Sequence, residues 1–146
     1  MKAKELMIGD WVRIDEPDKY AGATGQIQSL MYHREDDASY FNVFIQGKFG
    51  YVSRDVCSDD IIPIPLTTEI LEKNWFENIG DDTFQLEEKP FWFWVDFFRH
   101  TYGCEYDTST YEYEDDEHRL KLYGIPSVHE LQHALRLCGI EKEIEL

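Results

Sequence analysis

No apolar run in this 146-residue chain approaches the roughly 20 residues that a bilayer-spanning helix needs. The first residues, Met1-Lys-Ala-Lys-Glu5, also lack the apolar stretch of a signal peptide. Both absences predict a cytoplasmic protein with no membrane attachment. Cysteine is scarce: Cys57, Cys104 and Cys138 are odd in number and widely spaced, with no C-x-x-C pair. That excludes a disulfide framework and a zinc ribbon, and predicts reduced, partly buried thiols. Positive charge is scarce too. Fourteen Lys and Arg face 30 Asp and Glu, for a net charge of −16. Binding a phosphate backbone takes clustered cations, so the balance argues against direct nucleic-acid binding. Also missing are a phosphate loop, a nucleophile elbow, a dinucleotide fingerprint and any internal repeat.

What the chain does have is apolar mass. Hydrophobic residues make up 42% and aromatics 15%, enough for a packed core despite 30% charged residues. The length suits one ordinary domain or two very small ones. The Pro63–Pro65 stretch is the best boundary, dividing 1–66 from 67–146. The first part carries 7 basic and 11 acidic side chains, the second 7 and 19. The second part therefore holds most of the negative charge, which favours solubility and attracts basic partners.

Hydrophobic periodicity predicts the elements. Gly9–Ile14, 22–32, 40–46 and 49–53 read as short strands separated by glycine turns and a charged loop over 33–39, the pattern of a small barrel. Ile61-Ile-Pro-Ile-Pro-Leu66 is extended, since each Pro restricts the residue before it. Thr67 is an N-cap for a helix over 68–74. Thr83–Glu88 reads as a strand. The aromatic run Phe91–Phe98 is read as a strand, with a helix opened by Pro90 as the alternative. Tyr111–Glu114 and His118–Tyr123 read as a hairpin around the turn at 115–117. The last element is a helix from Val128 to about Cys138, stopped by Gly139.

Gly9-Asp10-x-Val12-x-Ile14, followed by Gly22-x-x-Gly25-x-Ile27-x-x-Leu30, resembles the KOW-type motif of SH3-like barrels. In that pattern the glycines allow a tight turn, and Ile27 and Leu30 resume the core-facing side. KOW modules that bind RNA carry basic residues around the glycines, whereas this turn holds Ala21, Ala23, Thr24 and Gln26. Three further pieces are Lys4-Glu-Leu-x-Ile8-Gly-x-Trp11-Val, Ile62-Pro-Ile-Pro-Leu-Thr67 with Glu69-Ile-Leu71, and Val128-His-Glu-Leu-Gln132. Together they make the chain similar to a family of small, uncharacterised proteins from Bacteroides-type gut bacteria and their phages or mobile elements. The resemblance implies no catalytic residues, and relatives often carry other residues at the Glu130 or His133 positions.

His129-Glu130-x-x-His133 matches the H-E-x-x-H pattern of zinc proteases. Two histidines one turn apart bind Zn²⁺, and the Glu acts as base on the metal-bound water. A third ligand is lacking: no His follows His133, and Glu141, Glu143 and Glu145 lie in a tail with no evident scaffold. Arg136, one turn on, puts a fixed positive charge beside the site. The helical wheel sets Val128, Leu131, Ala134, Leu135 and Cys138 on a core face, with His129, Gln132, His133 and Arg136 roughly opposite, so that the histidines point to solvent. Ser127-x-x-Glu130 also reads as a capping box, and Gly139-Ile140 as a Schellman stop. His33, His100 and His118 are scattered, and a Cys104–His100 pair lacks further ligands.

Between Glu105 and Glu117, seven acidic residues interleave with Tyr106, Tyr111 and Tyr113. These tyrosines are the candidate anchors for a basic partner. The overall expectation is an α+β protein: an N-terminal SH3-like β-barrel followed by a small antiparallel β-sheet unit with two helices. The leading function is a non-catalytic protein-interaction module with no cofactor, encoded by a phage or mobile element. The alternatives are a zinc-dependent hydrolase using His129, Glu130 and His133, and an acidic nucleic-acid mimic.

Overall fold

The computed structural model describes residues 5–16, 19–33, 38–47, 50–106 and 119–146. The chain divides into two compact units, Met1–Ile64 and Pro65–Leu146. Among the described residues each carries a five-stranded antiparallel sheet, and the second adds two α-helices. The architecture is therefore α+β, with β predominating. No helix among the described residues is long and apolar enough to cross a membrane.

In the first unit β1 (Trp11–Ile14), β2 (Thr24–His33), β3 (Ala38–Gly47), β4 (Gly50–Cys57) and β5 (Ile61–Ile62) form a curled sheet of order β4-β3-β2-β1-β5. Alternation does what a two-residue period dictates: Val12 and Ile14 are buried while Trp11 and Arg13 are only partly covered. They join Ile27, Phe41, Val43, Val56 and Ile61 in one cluster. One turn of 3₁₀ helix, Ser58–Asp60, returns the chain so that Ile61 pairs with Ile14. The entry to β1 is tied down by the buried Asp10, whose side chain accepts the Met7 N–H at 2.7 Å. Gly25 is there for space. A Cβ on it would sit 2.7 Å from both the Phe44 carbonyl oxygen and Val43 Cγ1.

Leu30 corrects the expected core pattern. A register shift after Ile27 keeps Leu30 opposite the buried Phe41, yet it is 55% exposed. The bulge preserves its side of the sheet, but Leu30 lies outside the buried cluster, to which β2 contributes Ile27.

The second unit runs α1 (Thr68–Lys73), β6 (Glu77–Gly80), β7 (Thr83–Glu88), β8 (Phe91–Asp96), β9 (Thr101–Tyr106), β10 (Arg119–Tyr123) and α2 (Val128–Leu137). Its sheet is a meander of order β10-β9-β8-β7-β6. The aromatic run is a strand as far as Asp96. There the Asp96 carboxylate accepts the Arg99 N–H at 2.7 Å and closes the turn into β9. Phe84, Leu86, Phe93 and Val95 point to the core face, and Gln85, Glu87, Trp92 and Trp94 to the other. The core face meets the C-terminal end of α2: the free thiols of Cys138 and Cys104 are hydrogen-bonded, and a Cβ at Gly139 would reach Phe91 Cε2 at 3.9 Å.

Two strands, β6 and β9, go beyond the sequence expectation. All four β6 residues are exposed, so no hydrophobic alternation marks it. β9 contains Gly103, which reads as a breaker in sequence. In the sheet it is required, because a Cβ there would lie 2.0 Å from the Leu120 carbonyl oxygen. β9 is also the partner of β10. The expected strand Tyr111–Glu114 and its turn lie outside the described residues.

Candidate functional site

The H-E-x-x-H residues sit on the first turns of α2. Its capping box is present: the Ser127 N–H donates to Glu130 Oε2 at 2.7 Å. Burial alone would raise the Glu130 carboxyl. The bonds from the Ser127 N–H and hydroxyl, with the charges of His129 and His133, outweigh it and hold the carboxyl below its ordinary value. A carboxylate only accepts, so the Ser127 hydroxyl spends its single proton on Glu130 Oε2 at 2.8 Å. The 2.8 Å contact between Ser127 Oγ and His129 Nδ1 is then donated by the imidazole N–H. Glu130 is a capping residue facing Ser127.

The expected solvent exposure of the polar face is corrected here. His129 is 5% and Gln132 2% exposed, while Arg136 is exposed. The buried arc is wider than the apolar residues alone suggest. At about 100° per residue Gln132 lies only about 40° from Val128, so angle overrides polarity. His129 follows on the same side, covered at the capped end. His133 is half-buried, and its ring meets that of His129 edge to face with centroids 5.7 Å apart.

The structure thus brings His129 and His133 together. Among the described residues no group of three His, Cys, Asp or Glu side chains is placed to hold a metal ion. The C-terminal tail is also better anchored than expected. Ile140 and Ile144 are buried. Asn74 donates to the Glu145 carbonyl and accepts the Glu145 N–H, both at 2.8 Å. Of the candidate tyrosines, Tyr106 ends β9, and its side chain lies outside the described residues. Tyr111 and Tyr113 lie outside them altogether.

A different site emerges on the outer face of the second sheet. A groove of about 810 Å³ is lined there by Trp75, Glu77, Ile79, Gln85, Glu87 and Trp92, among others. That volume falls in the range of ligand sites. Register explains the rows. Glu77 pairs with Gln85, and Gln85 with Trp94. The next row is Glu87, Trp92 and Glu105. Trp92 therefore has Glu87 and Glu105 as its direct neighbours, about 5 Å away, with Arg119 beyond Glu105 in the same row. At one rim, Lys142 and Lys89 face Glu88 and Glu87 at 3.5 Å and 3.6 Å.

Trp75 is the unusual member. Helix α1 ends in a Schellman motif, with Phe76 N–H donating to the Leu71 carbonyl at 3.0 Å and Trp75 N–H to Glu72 at 3.2 Å. The residue at this position takes a left-handed conformation, and Trp75 has φ +68°. Glycine is the usual occupant. Helix α2 ends in the same motif, with Ile140 N–H to the Leu135 carbonyl at 2.9 Å, and has Gly139 at φ +74° there. Trp75 is flanked by the buried Asn74 and Phe76, yet is itself 78% exposed. The backbone on both sides is hydrogen-bonded and the side chain is exposed. Sequence reading missed this residue. The available signal was a helix ending in Asn74 with no glycine after it.

Comparison of the chain with family models, curated proteins and solved structures gives no match.

Proposed function

We propose that this protein is a non-catalytic interaction module that takes a protein partner in the groove of its second unit. The observation that carries this is Trp75. A bulky residue in a strained, glycine-type conformation and 78% exposed contributes little to folding. Strain of this kind clusters at binding sites, and tryptophan is enriched among interface anchors. Trp92, 40% exposed across the groove, supplies a second aromatic face.

In the same reading the first unit is an SH3-like barrel of the KOW type. The order β4-β3-β2-β1-β5 supports this, because a five-stranded meander closes when its last strand returns beside its first. Around its glycines Ala21, Ala23, Thr24 and Gln26 carry no charge, which supports a scaffold or protein-contact role over nucleic-acid binding. The odd, unpaired cysteine usage supports a reducing, cytoplasmic setting. An origin in a phage or mobile element belongs to the same reading and rests on the sequence resemblance alone.

The test is retention of a protein partner by immobilised protein, compared with Trp75→Gly and Trp92→Ala. Binding lost in both variants, with their circular dichroism unchanged, supports the groove. Equal retention by both would remove it. Zinc content measured on the same preparation addresses the hydrolase alternative. About one zinc per chain, lost in His129→Ala, would replace this reading.

A further inference from the structure

We infer that the groove receives an extended, arginine- or lysine-bearing segment of the partner, with a cationic head group seated against Trp92 and Trp75. This rests on the groove being the partner site. Three observations point to a cation. Trp92 lies in register between Glu87 and Glu105, so an acidic residue stands on each neighbouring strand beside it. Glu77, beside it in the groove, has no ion-pair partner among the described residues. The two amines of the rim already face carboxylates of their own, Lys89 toward Glu87 and Lys142 toward Glu88. An incoming anion would meet the Glu77 carboxylate. An incoming guanidinium gains Glu77 and two indole faces, and cations bind the faces of tryptophan best of all aromatics. The acidic excess of residues 67–146, 19 against 7 basic, adds a field that draws such a segment in.

Size argues for a segment longer than one side chain. At about 810 Å³ the groove exceeds any single residue. It also opens beside β6, the edge strand of the sheet, whose four residues are all exposed. The segment can therefore run along the edge while its cation reaches inward.

The experiment uses the full chain and three synthetic peptides of equal length on one neutral serine-rich host, carrying arginines, glutamates or no charge. Binding is read by calorimetry. The arginine peptide is expected to bind, to weaken as salt rises, and to bind about tenfold more weakly to Trp75→Gly or Trp92→Ala. Glu77→Gln is expected to weaken it several-fold and leave the uncharged peptide unaffected. If all three peptides bind alike and are lost in Trp75→Gly, the groove stands and the cationic ligand is wrong. If the arginine peptide binds folded Trp75→Gly and Trp92→Ala as well as the parent, or if no peptide binds, the inference is overturned. An uncharged oligosaccharide that binds and is lost in Trp75→Gly would overturn the protein-partner reading itself.

Discussion

Trp75→Gly separates folding from binding at one residue. Two opposing contributions set its effect on stability. A non-glycine residue in the left-handed region costs roughly 1–2 kcal/mol, and glycine removes that cost. Against this, the indole loses what burial it has. Trp75 is 78% exposed, and a tryptophan buries at most about 250 Å², so about 50 Å² is at stake. At about 25 cal/mol per Å² this is about 1 kcal/mol. The expected net change is within about 1 kcal/mol of zero. Gly139→Ala is the matched control, because Gly139 holds the same position at the end of α2 at φ +74°. Its added Cβ would meet nothing closer than Phe91 Cε2 at 3.9 Å. The loss is therefore conformational, about 1–2 kcal/mol. Urea denaturation followed by circular dichroism measures both, through the midpoint at constant slope. A drop of more than about 2 kcal/mol in Trp75→Gly, well beyond the burial figure, would make Trp75 a packing residue. Its exposure would then say nothing about binding.

Other perturbations have a direction and a size. Phe93→Ala, at a fully buried position in the middle of the second sheet, is expected to cost about 3–5 kcal/mol in the same urea assay. Gly25→Ala places a methyl 2.7 Å from the Phe44 carbonyl oxygen, and the resulting shift between β2 and β3 is expected to destabilise the first unit by about 1–3 kcal/mol. Glu130 has a depressed folded value against 4.5, so its stabilisation is complete above about pH 4.5 and fades as pH falls through the folded value. The stability gap between the parent and Glu130→Gln should therefore narrow on acidification, and a constant gap across that window would contradict the capping account. Burial, first, and their mutual contact push the Cys138 thiol up to about 12, and burial raises Cys104. Alkylation of the native protein at neutral pH should thus modify the partly exposed Cys57 well before either, with all three reacting once urea unfolds the chain.

Local patterns were legible where local physics decides. The alternation in β1, β7 and β8, the Thr67 cap, the Ser127–Glu130 capping box and the Gly139 stop all follow from periods of two or 3.6 residues and from cap chemistry. The aromatic run resolved as a strand because Phe93 and Val95 face one side and Trp92 the other. β6 and β9 were hidden for different reasons. The first has no buried face at all. The second contains a glycine whose purpose, the close approach of the Leu120 carbonyl, exists only once β10 is alongside. Likewise Leu30 has the right spacing for the core but lies beyond the buried cluster.

By itself the sequence determined the acidic, β-rich character of this protein, its helix ends, and the capping role of Glu130, since each depends on residues only a few positions apart. Only the tertiary structure decided that His129 and Gln132 are buried, because burial depends on how wide an arc of α2 the sheet and its surroundings cover. It also decided the site. Trp75 lies in the turn before β6, Glu77 on β6 and Trp92 on β8, and only the pairing of β6, β7 and β8 lays them along one groove.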